Sequence, residues 1–366
     1  MKMQKKIISA LLSVAMAATL LVGCGSQEAA PAAAPAAQSE EAATEEAAPA
    51  GEAGKGTYAL ITKSAGNPYN EKEAEGFQKA VEAMGGTAII QHPEAATADA
   101  QISVIQSLIS QGVDSICIAA NDANALEAAL TEAKDAGIKV CSLDSSTNAA
   151  SRLVHVNQAG INEVGQALID AVLDLTGGEG QWAIVSATSQ ATNQNAWIDA
   201  MKAIAESDAK YSKLELVEVA YGDDEPQKST DVTQALLTNY PDLKCICAPT
   251  TVGVAAAAKV LQDQGSSVKL TGLGLPSEMA EYIGADEAHA CPYMFLWNPI
   301  DIGRLGAYTS AALVNGDIDG SEGGTFTAGD MGEYTVVAAG DGGTEIILGP
   351  PFEFNPDNIE EWKSVY

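Results

Sequence analysis

Basic residues are scarce in this chain: 19 lysines and arginines stand against 49 aspartates and glutamates, which gives a formal net charge of −30. A surface of this sign repels nucleic acid and anionic lipid, so we exclude both as ligands. Histidine is scarcer still, with only His92, His155 and His289, scattered along the sequence. We interpret each as structural rather than catalytic.

Catalytic signatures are missing as well. The sequence GLG at 272–274 follows an apolar run, but the third glycine of a dinucleotide fingerprint would fall on Ser277. No phosphate-binding Gly-x-x-x-x-Gly-Lys-Ser/Thr loop and no Gly-x-Ser-x-Gly elbow occurs. Residues 315–320 begin like a calcium loop, yet Phe326 stands where a bidentate glutamate is needed. We therefore predict no enzyme activity, no cofactor and no metal.

The cysteines available for disulfide bonds are odd in number. Cys24 has a separate role, described next, and five cysteines remain. The spacing of Cys245 and Cys247 is unusual for zinc, and no histidine lies near them. We predict buried free thiols at Cys117, Cys141, Cys245, Cys247 and Cys291.

Only the N-terminus has a long apolar run. Residues 7–22 follow Lys2, Lys5 and Lys6 and are short for a membrane span, which needs roughly 20 apolar residues. The run ends in the letters LVGC at 21–24, which look like a bacterial lipobox. We predict a signal peptide at 1–23 and lipidation of Cys24, which would tether the chain to the outer face of the cytoplasmic membrane. A chance cysteine behind an ordinary signal peptide is the alternative.

The segment that follows has little that could form a core. Residues 25–56 are alanine, proline, glutamate, glycine and other small or polar residues, without aromatics. Such a composition buries too little surface to offset the entropy of ordering. We predict a disordered acidic linker, 24–56 including the lipidated cysteine. Cleavage of the signal peptide removes three lysines, so the net charge changes from −30 to −33. No later stretch is apolar enough to span a bilayer, so we expect the remainder to be soluble.

The rest of the chain repeats one pattern. Predicted strands at 58–62, 88–91, 115–119 and 139–143 alternate with helices, and the alternation restarts near residue 162. This is typical of βαβ units with a parallel sheet. The fold class is therefore α/β, with two doubly wound parallel-sheet lobes and a hinge. We expect an N-terminal lobe of 57–158 plus 298–340, a C-terminal lobe of 159–297 plus 341–366, and chain crossings near Gln158, Asn298 and Ala339.

Polar and aromatic residues stand where the predicted strands end. Ligands of open α/β sheets bind beyond the carboxyl ends of the strands. A lysine and an aspartate can make charge-assisted bonds to hydroxyls, amides both donate and accept, and flat rings suit sugar C–H groups. Singly, each residue could instead be a loop cap. Together they predict a polyol site formed by Lys63, Tyr69, Asn70, Asn121, Asp144, Asn193, Gln194, Pro249, Thr251, Trp297 and Asn298.

The chain resembles the type I periplasmic binding proteins, in the branch that binds autoinducer-2 or rhamnose. The resemblance runs from about Tyr58 to the C-terminus and is strongest at 192–197, 248–251 and 296–298. It implies a solute-binding protein that delivers its ligand to the permease of an ABC importer. The family's ligand contacts and aromatic wall would fall on Lys63, Tyr69, Asp144, Asn193, Gln194, Pro249, Thr251 and Trp297.

Two positions depart from the family pattern. Asn193 stands where autoinducer-2 binders have an aspartate, and Thr251 stands where they have an alanine. We expect the ligand to be autoinducer-2 or a closely related small polyol. Rhamnose or another monosaccharide is the alternative, and so is a sensor that presents its ligand to a membrane receptor.

Overall fold

The computed structural model describes residues 55–366, so the predicted signal peptide, Cys24 and nearly all of the linker lie outside the described residues. The strands in chain order are β1 Thr57–Ile61, β2 Thr87–Gln91, β3 Ser115–Ile118, β4 Lys139–Leu143, β5 Val154–Asn157, β6 Gly180–Ser186, β7 Leu214–Tyr221, β8 Leu243–Ala248, β9 Lys269–Gly272, β10 Met294–Leu296, β11 Thr325–Thr327, β12 Glu333–Thr335, β13 Val337–Ala338, β14 Thr344–Ile347 and β15 Phe352–Phe354. The helices are α1 Pro68–Ala83, α2 Ala98–Gln111, α3 Glu127–Asp135, α4 Ile161–Leu175, α5 Thr192–Ser207, α6 Pro226–Asn239, α7 Thr251–Asp263, α8 Pro276–Met279, α9 Pro299–Asn315 and α10 Ile359–Trp362.

Two parallel sheets organise these elements. The first, in lobe 1, has the order β13-β14-β5-β4-β3-β1-β2, and only β13 runs antiparallel to its neighbour. The second, in lobe 2, has the order β7-β6-β8-β9 and is parallel throughout. A bridge between Leu273 and Phe295 places β10 beside β9, and β10 pairs antiparallel with β15. The predicted α/β class with parallel sheets is confirmed.

The chain passes between the lobes at three places: from β5 to α4, from β10 to α9, and from β14 to β15. Gln158 and Asn298 lie at the first two. Ala339 does not lie at the third, because it sits in the turn between β13 and β14, both in lobe 1. Since β14 pairs with β5, the third crossing comes after Ile347, and the expected boundary at 340/341 falls inside lobe 1.

The sheet of lobe 1 is buried on both faces, as parallel sheets with helices on each side are. Alternate residues along a strand point to opposite faces. Ala59 and Ile61 pack with α2 and α3 in one apolar cluster, while Tyr58 and Leu60 belong to the other cluster, together with Phe77 of α1. This second cluster continues into lobe 2.

The five predicted thiols fall in these cores. Each is free and buried, as predicted for Cys117, Cys141, Cys245, Cys247 and Cys291. Burial raises the pKa of Cys247 and Cys291, so these thiols stay protonated and behave as small apolar groups. Within residues 55–366, no helix combines the length and the apolar character needed to cross a membrane.

Candidate functional site

A cleft between the two lobes collects the carboxyl ends of strands from both sheets. Lys63 follows β1 and Asp144 follows β4 in lobe 1, while Pro249 follows β8 in lobe 2. Its volume is about 30 Å³, and one water needs roughly 10–15 Å³. The side chains of the two lobes therefore fill most of it. The cleft is lined by Lys63, Asn67, Tyr69, Asn70, Asp144, Asn193, Gln194, Trp197, Asp224, Pro249, Thr250, Thr251, Leu273, Leu296 and Trp297.

Asn193 joins the two charged residues of the cleft. Lys63 Nζ donates to Asn193 Oδ1 at 2.9 Å and to Gln194 Oε1 at 3.4 Å. Asn193 Nδ2 donates to Asp144 Oδ2 at 3.2 Å, and Lys63 Nζ lies 3.8 Å from the same oxygen. The amide thus accepts from the cation and donates to the anion. A carboxylate at this position would have no hydrogen to give Asp144.

An aromatic wall closes the lobe-crossing end of the cleft. Trp297 Nε1 donates to the Tyr69 hydroxyl at 2.7 Å, and that hydroxyl donates to Asp144 Oδ1 at 3.3 Å. The rings of Trp197 and Trp297 lie 5.5 Å apart, centroid to centroid, at a tilt of 54°. Flat apolar faces beside hydrogen-bonding groups are the usual composition of a site for small polar ligands with C–H surface.

The first residues of α1 hold two side chains of the cleft, those of Tyr69 and Asn70, in position. Asn67 Oδ1 accepts from Tyr69 N at 2.9 Å and caps the helix, and Pro68 occupies its first position. Asn70 Nδ2 donates to Ser64 O at 2.8 Å, which holds the preceding loop. The hydroxyl of Thr251 in lobe 2 reaches Asn67 Oδ1 at 3.5 Å, so the capping residue also contacts the opposite lobe.

Backbone strain is concentrated at aspartates of the cleft region. Asp144 has a φ of 55°, and Asp223 and Asp224 have φ values of 54° and 55°; among non-glycine residues in the described range, only these three have positive φ. Such conformations persist where the surroundings over-determine them, commonly at ligand sites. The Thr250 hydroxyl holds Asp224 by donating to its Oδ1 at 2.6 Å.

Burial governs the protonation of the acids in lobe 1. It raises the pKa of Asp144, and the opposing influences are the Lys63 ammonium and the hydrogen bond from Tyr69. Glu73, one turn after Tyr69 on α1, is fully buried, and neither of its carboxyl oxygens has a hydrogen-bond partner among residues 55–366. Burial first, and then the charge of Asp144, raises the pKa of Glu73 well above its usual range.

Nine of the eleven predicted site residues line the cleft. The other two do not. Asn121 Nδ2 donates to the backbone oxygen of Lys63 at 2.8 Å and so supports Lys63 from behind. Asn298 caps α9 by accepting from Ile300 N at 2.9 Å. Both follow strand ends, but other groups of the protein already bond to their amides: the Lys63 carbonyl for Asn121, and Ile300 N together with the Asp301 carboxylate for Asn298.

The prediction missed six lining residues: Asn67, Trp197, Asp224, Thr250, Leu273 and Leu296. Two of them carried a signal. Trp197 lies four residues after Asn193 and therefore on the same face of α5. Asp224 comes three residues after the end of β7 and so also stands beyond the carboxyl end of a strand. Among residues 55–366, no group of three or more histidine, cysteine, aspartate or glutamate side chains is arranged to hold a metal ion.

Comparison with known proteins places this geometry in context. The family model described as periplasmic binding protein domain matches residues 58–318. The chain is 62% identical to an ABC transporter solute binding protein from Clostridium phytofermentas, solved with bound L-rhamnose, over 85% of this chain and 99% of that chain, with a TM-score of 0.84.

Two further similarities are more distant. LsrB from Clostridium saccharobutylicum, solved in complex with AI-2, is 23% identical over 84% of this chain and 99% of that one, with a TM-score of 0.77. This level of identity shows the fold alone. The ribose import binding protein RbsB of Escherichia coli (strain K12) is 24% identical over 217 residues, which is 58% of this chain and 70% of the relative.

Proposed function

The chain belongs to the periplasmic binding protein family of ABC transporter solute-binding proteins, and on that premise we propose that it captures L-rhamnose for import. The family is extracytoplasmic, and its members are binding components of importers rather than enzymes. The resemblance inferred from the sequence is thereby confirmed. A sugar ligand and an importer permease are the partners that this role implies.

The observation that carries the ligand proposal is the 62% identity to a protein that was solved with L-rhamnose. The cleft supports it chemically. The cleft presents side by side a donor, an amide that both donates and accepts, and an acceptor, from Lys63, Asn193 and Asp144. This arrangement matches neighbouring sugar hydroxyls, which both donate and accept. Leu273, Leu296 and the tryptophans offer apolar surface for the ring C–H groups and the methyl group of a deoxyhexose.

Autoinducer-2, our first expectation from the sequence, has weaker support. The AI-2-bound relative is 23% identical and shows the fold alone. Asn193 donates to Asp144 here, and an aspartate at this position would place two carboxylates in contact. The proposal therefore adopts the rhamnose alternative.

Titration calorimetry of the mature protein with L-rhamnose, L-mannose, D-ribose and autoinducer-2 tests this. L-mannose is the matched control, because it differs from L-rhamnose by a hydroxymethyl in place of the methyl. A buried hydroxyl without a partner costs about 1–3 kcal/mol, so we expect L-mannose to bind roughly tenfold or more weakly. Tight binding of autoinducer-2 without L-rhamnose binding would restore the first expectation. Binding of none of the four would reject the proposal.

We also propose that the chain is lipid-anchored through Cys24, as the lipobox-like letters at 21–24 predict. Cys24→Ser removes the thiol to which the lipid would be attached. We expect the variant to leave the membrane fraction or to remain unprocessed, as shown by fractionation and metabolic labelling with a fatty acid. A variant that stays labelled and membrane-bound like the wild type would show that Cys24 is not the anchor.

A further inference from the structure

Asp224 is the carboxylate that lobe 2 contributes to the cleft. It follows β7, and it lines the cleft together with Asp144, which follows β4 in lobe 1. In the part of the chain that the structure describes, these two are the only acidic residues that line the cleft, so each lobe provides one. Burial raises the pKa of Asp144, and the charge of Asp224 raises it further. Such an influence requires the two carboxyl groups to lie near each other across the cleft.

The backbone holds Asp224 in a conformation that non-glycine residues rarely adopt. Its φ is 55°, and that of the preceding Asp223 is 54°. Two backbone hydrogen bonds fix this turn to the end of β6: Gly222 N donates to Ser186 O at 2.9 Å, and Asp223 N donates to Ala187 O at 3.1 Å. Strained conformations persist where the surrounding contacts over-determine them, and they cluster at ligand sites. The turn therefore keeps the Asp224 side chain at the cleft.

One oxygen of the Asp224 carboxylate is held in place, and the other is available to a ligand. The Thr250 hydroxyl donates to Oδ1 at 2.6 Å. Among residues 55–366, Oδ2 accepts no hydrogen bond and has no cation within ion-pair distance. The neighbouring Asp223 differs, because it forms an ion pair with Lys228. The ammonium of the cleft, Lys63 Nζ, donates to two amide oxygens instead. A half-buried carboxylate with an unused acceptor is suited to a hydroxyl donor.

We propose that Asp224 is a specificity-determining residue, whose Oδ2 accepts a hydrogen bond from one ring hydroxyl of the bound sugar while Asp144 accepts from another. This inference rests on the proposed function of the cleft. Because the two acids belong to different lobes, a sugar satisfies both only if it presents hydroxyls toward both lobes. A sugar acid would meet two carboxylates against the single cation Lys63. The cleft therefore selects neutral sugars, and Asp224 reads one particular hydroxyl.

The test compares L-rhamnose with its monodeoxy analogues, each of which lacks one ring hydroxyl, by titration calorimetry. Asp224→Gly removes the carboxylate, and glycine suits the positive φ of this position. Asp223→Gly is the matched control, because it makes the same change at the adjacent residue, which has nearly the same φ and does not line the cleft. We expect Asp224→Gly to weaken L-rhamnose binding by about tenfold or more, and the control to change it by less than about threefold.

One analogue should identify the hydroxyl that Asp224 binds. In the wild type, loss of that hydroxyl should weaken binding by about tenfold or more. In Asp224→Gly the same loss should matter by less than about threefold, because the partner is already gone. In the control Asp223→Gly the full effect of the missing hydroxyl should remain. Asp224→Gly would contradict the proposal if it left L-rhamnose affinity unchanged, or if it weakened L-rhamnose and every analogue equally.

Asp224→Asn gives a second readout if the glycine variant does not fold. Asparagine tolerates positive φ and can still accept from Thr250, but it removes the charge. It should weaken L-rhamnose by about threefold or more and change the analogue that lacks the partner hydroxyl by less than about twofold. Equal weakening of L-rhamnose and all analogues would overturn the role of Asp224 and leave the proposed function intact. Failure of L-rhamnose to bind the wild type would instead reject the proposed function, and this inference with it.

Discussion

At the scale of single residues, the side-chain amide of Asn193 determines which charged side chains the cleft can accommodate. It accepts from Lys63 and donates to Asp144 at once, which no carboxylate can do. The acid found at this position in autoinducer-2 binders would face Asp144 across 3.2 Å. Lys63, near both groups, would then have to balance two negative charges.

We expect Asn193→Asp to weaken L-rhamnose binding by at least tenfold, because the new carboxylate repels Asp144 and withdraws a donor. Tenfold corresponds to about 1.4 kcal/mol. Titration calorimetry measures the effect. Asn195→Asp is the control, since that side chain bonds to Ser189 O and does not line the cleft. Unchanged or improved L-rhamnose affinity in Asn193→Asp would contradict the bridging role of the amide.

A second residue-scale prediction concerns Glu73, whose pKa is raised by burial. In the unfolded state a glutamate has a pKa of about 4.3. Above that pH the native state therefore holds a proton that the unfolded state has lost. The contribution of Glu73 to the free energy of unfolding is therefore fully present below about pH 4.3, and it declines as the pH rises toward the pKa of Glu73 in the native state. Glu73→Gln does not titrate. Its free energy of unfolding relative to the wild type should therefore increase from pH 5 to pH 8, at up to about 1.4 kcal/mol per unit.

Urea unfolding at several pH values measures this difference. Glu75→Gln is the control on the same helix: its carboxylate is partly exposed, and hydrogen bonding to Lys79 lowers its pKa. The linkage of that group has the opposite sign, so Glu75→Gln should not gain stability relative to the wild type as the pH rises. A Glu73→Gln difference that stays constant from pH 5 to pH 8 would show that Glu73 is ionised in the folded protein.

The residues of the site were predictable where one rule sufficed. Lys63 and Asp144 follow buried strands, and ligands of open sheets bind there. Asn121 and Asn298 satisfied the same rule, but the Lys63 carbonyl, Ile300 N and the Asp301 carboxylate already bond to their amides. Glu73 left no sequence signal, because a glutamate on a helix normally faces water. Which side chains turn inward depends on packing between elements that are distant in the sequence.

At the scale of secondary-structure elements, the contact between helices α1 and α9 positions the part of the site that lobe 1 contributes. Two glycines allow it. A Cβ on Gly303 of α9 would overlap the carbonyl oxygen of Glu73, and a Cβ on Gly76 of α1 would overlap the carbonyl oxygen of Ile300. The helix backbones therefore touch, which fixes α1 and the cleft residues at its start.

Gly303→Ala should force these helices apart. Overpacking of this kind destabilises by about 1–3 kcal/mol or more, and we expect a loss in that range in urea unfolding, with weaker sugar binding because Tyr69 moves. Gly349→Ala is the control, since no atom lies within 4 Å of a Cβ built there. If both variants unfold like the wild type, the close approach of α1 and α9 carries no stability.

Element types were predictable and element ends less so. Apolar periodicity located the main strands and helices, but it gives no sign of the first turn of α5, which begins at Thr192. The first turn of α5 is polar because it faces the cleft, so the apolar periodicity is interrupted at the binding site. Strand β5 was missed, because its four residues include His155 and Asn157. The late pairing of β14 with β5 is a contact over a long sequence separation, which local patterns do not report.

At the scale of the whole molecule, the two lobes meet through hydrogen bonds that would have to break for a sugar to enter. Lys63 of lobe 1 bonds to Asn193 of lobe 2, and the hydroxyls of Ser145 in lobe 1 and Thr192 in lobe 2 lie 2.7 Å apart. A cleft of about 30 Å³ has no space for a pyranose ring beside these contacts. Three crossing segments join the lobes, so opening requires concerted bending rather than the release of one loop.

The pair Ser145 and Thr192 offers a way to lock this motion. Their hydroxyl oxygens are close enough that cysteine sulfurs at both positions can approach the 2.0 Å of a disulfide. We expect the double variant Ser145→Cys with Thr192→Cys to oxidise to an interlobe disulfide that holds the lobes closed. Because the sugar cannot then enter or leave, exchange of radiolabelled L-rhamnose should slow by at least a hundredfold. Reduction should restore it.

The single variant Ser145→Cys separates locking from local damage, because it changes the cleft margin without a partner for a disulfide. It should exchange L-rhamnose like the wild type, with or without reductant. The five native thiols are buried and should remain reduced, which thiol labelling of the folded protein checks. An oxidised double variant that exchanges the sugar at the wild-type rate would show that the ligand reaches the cleft without separation of the lobes.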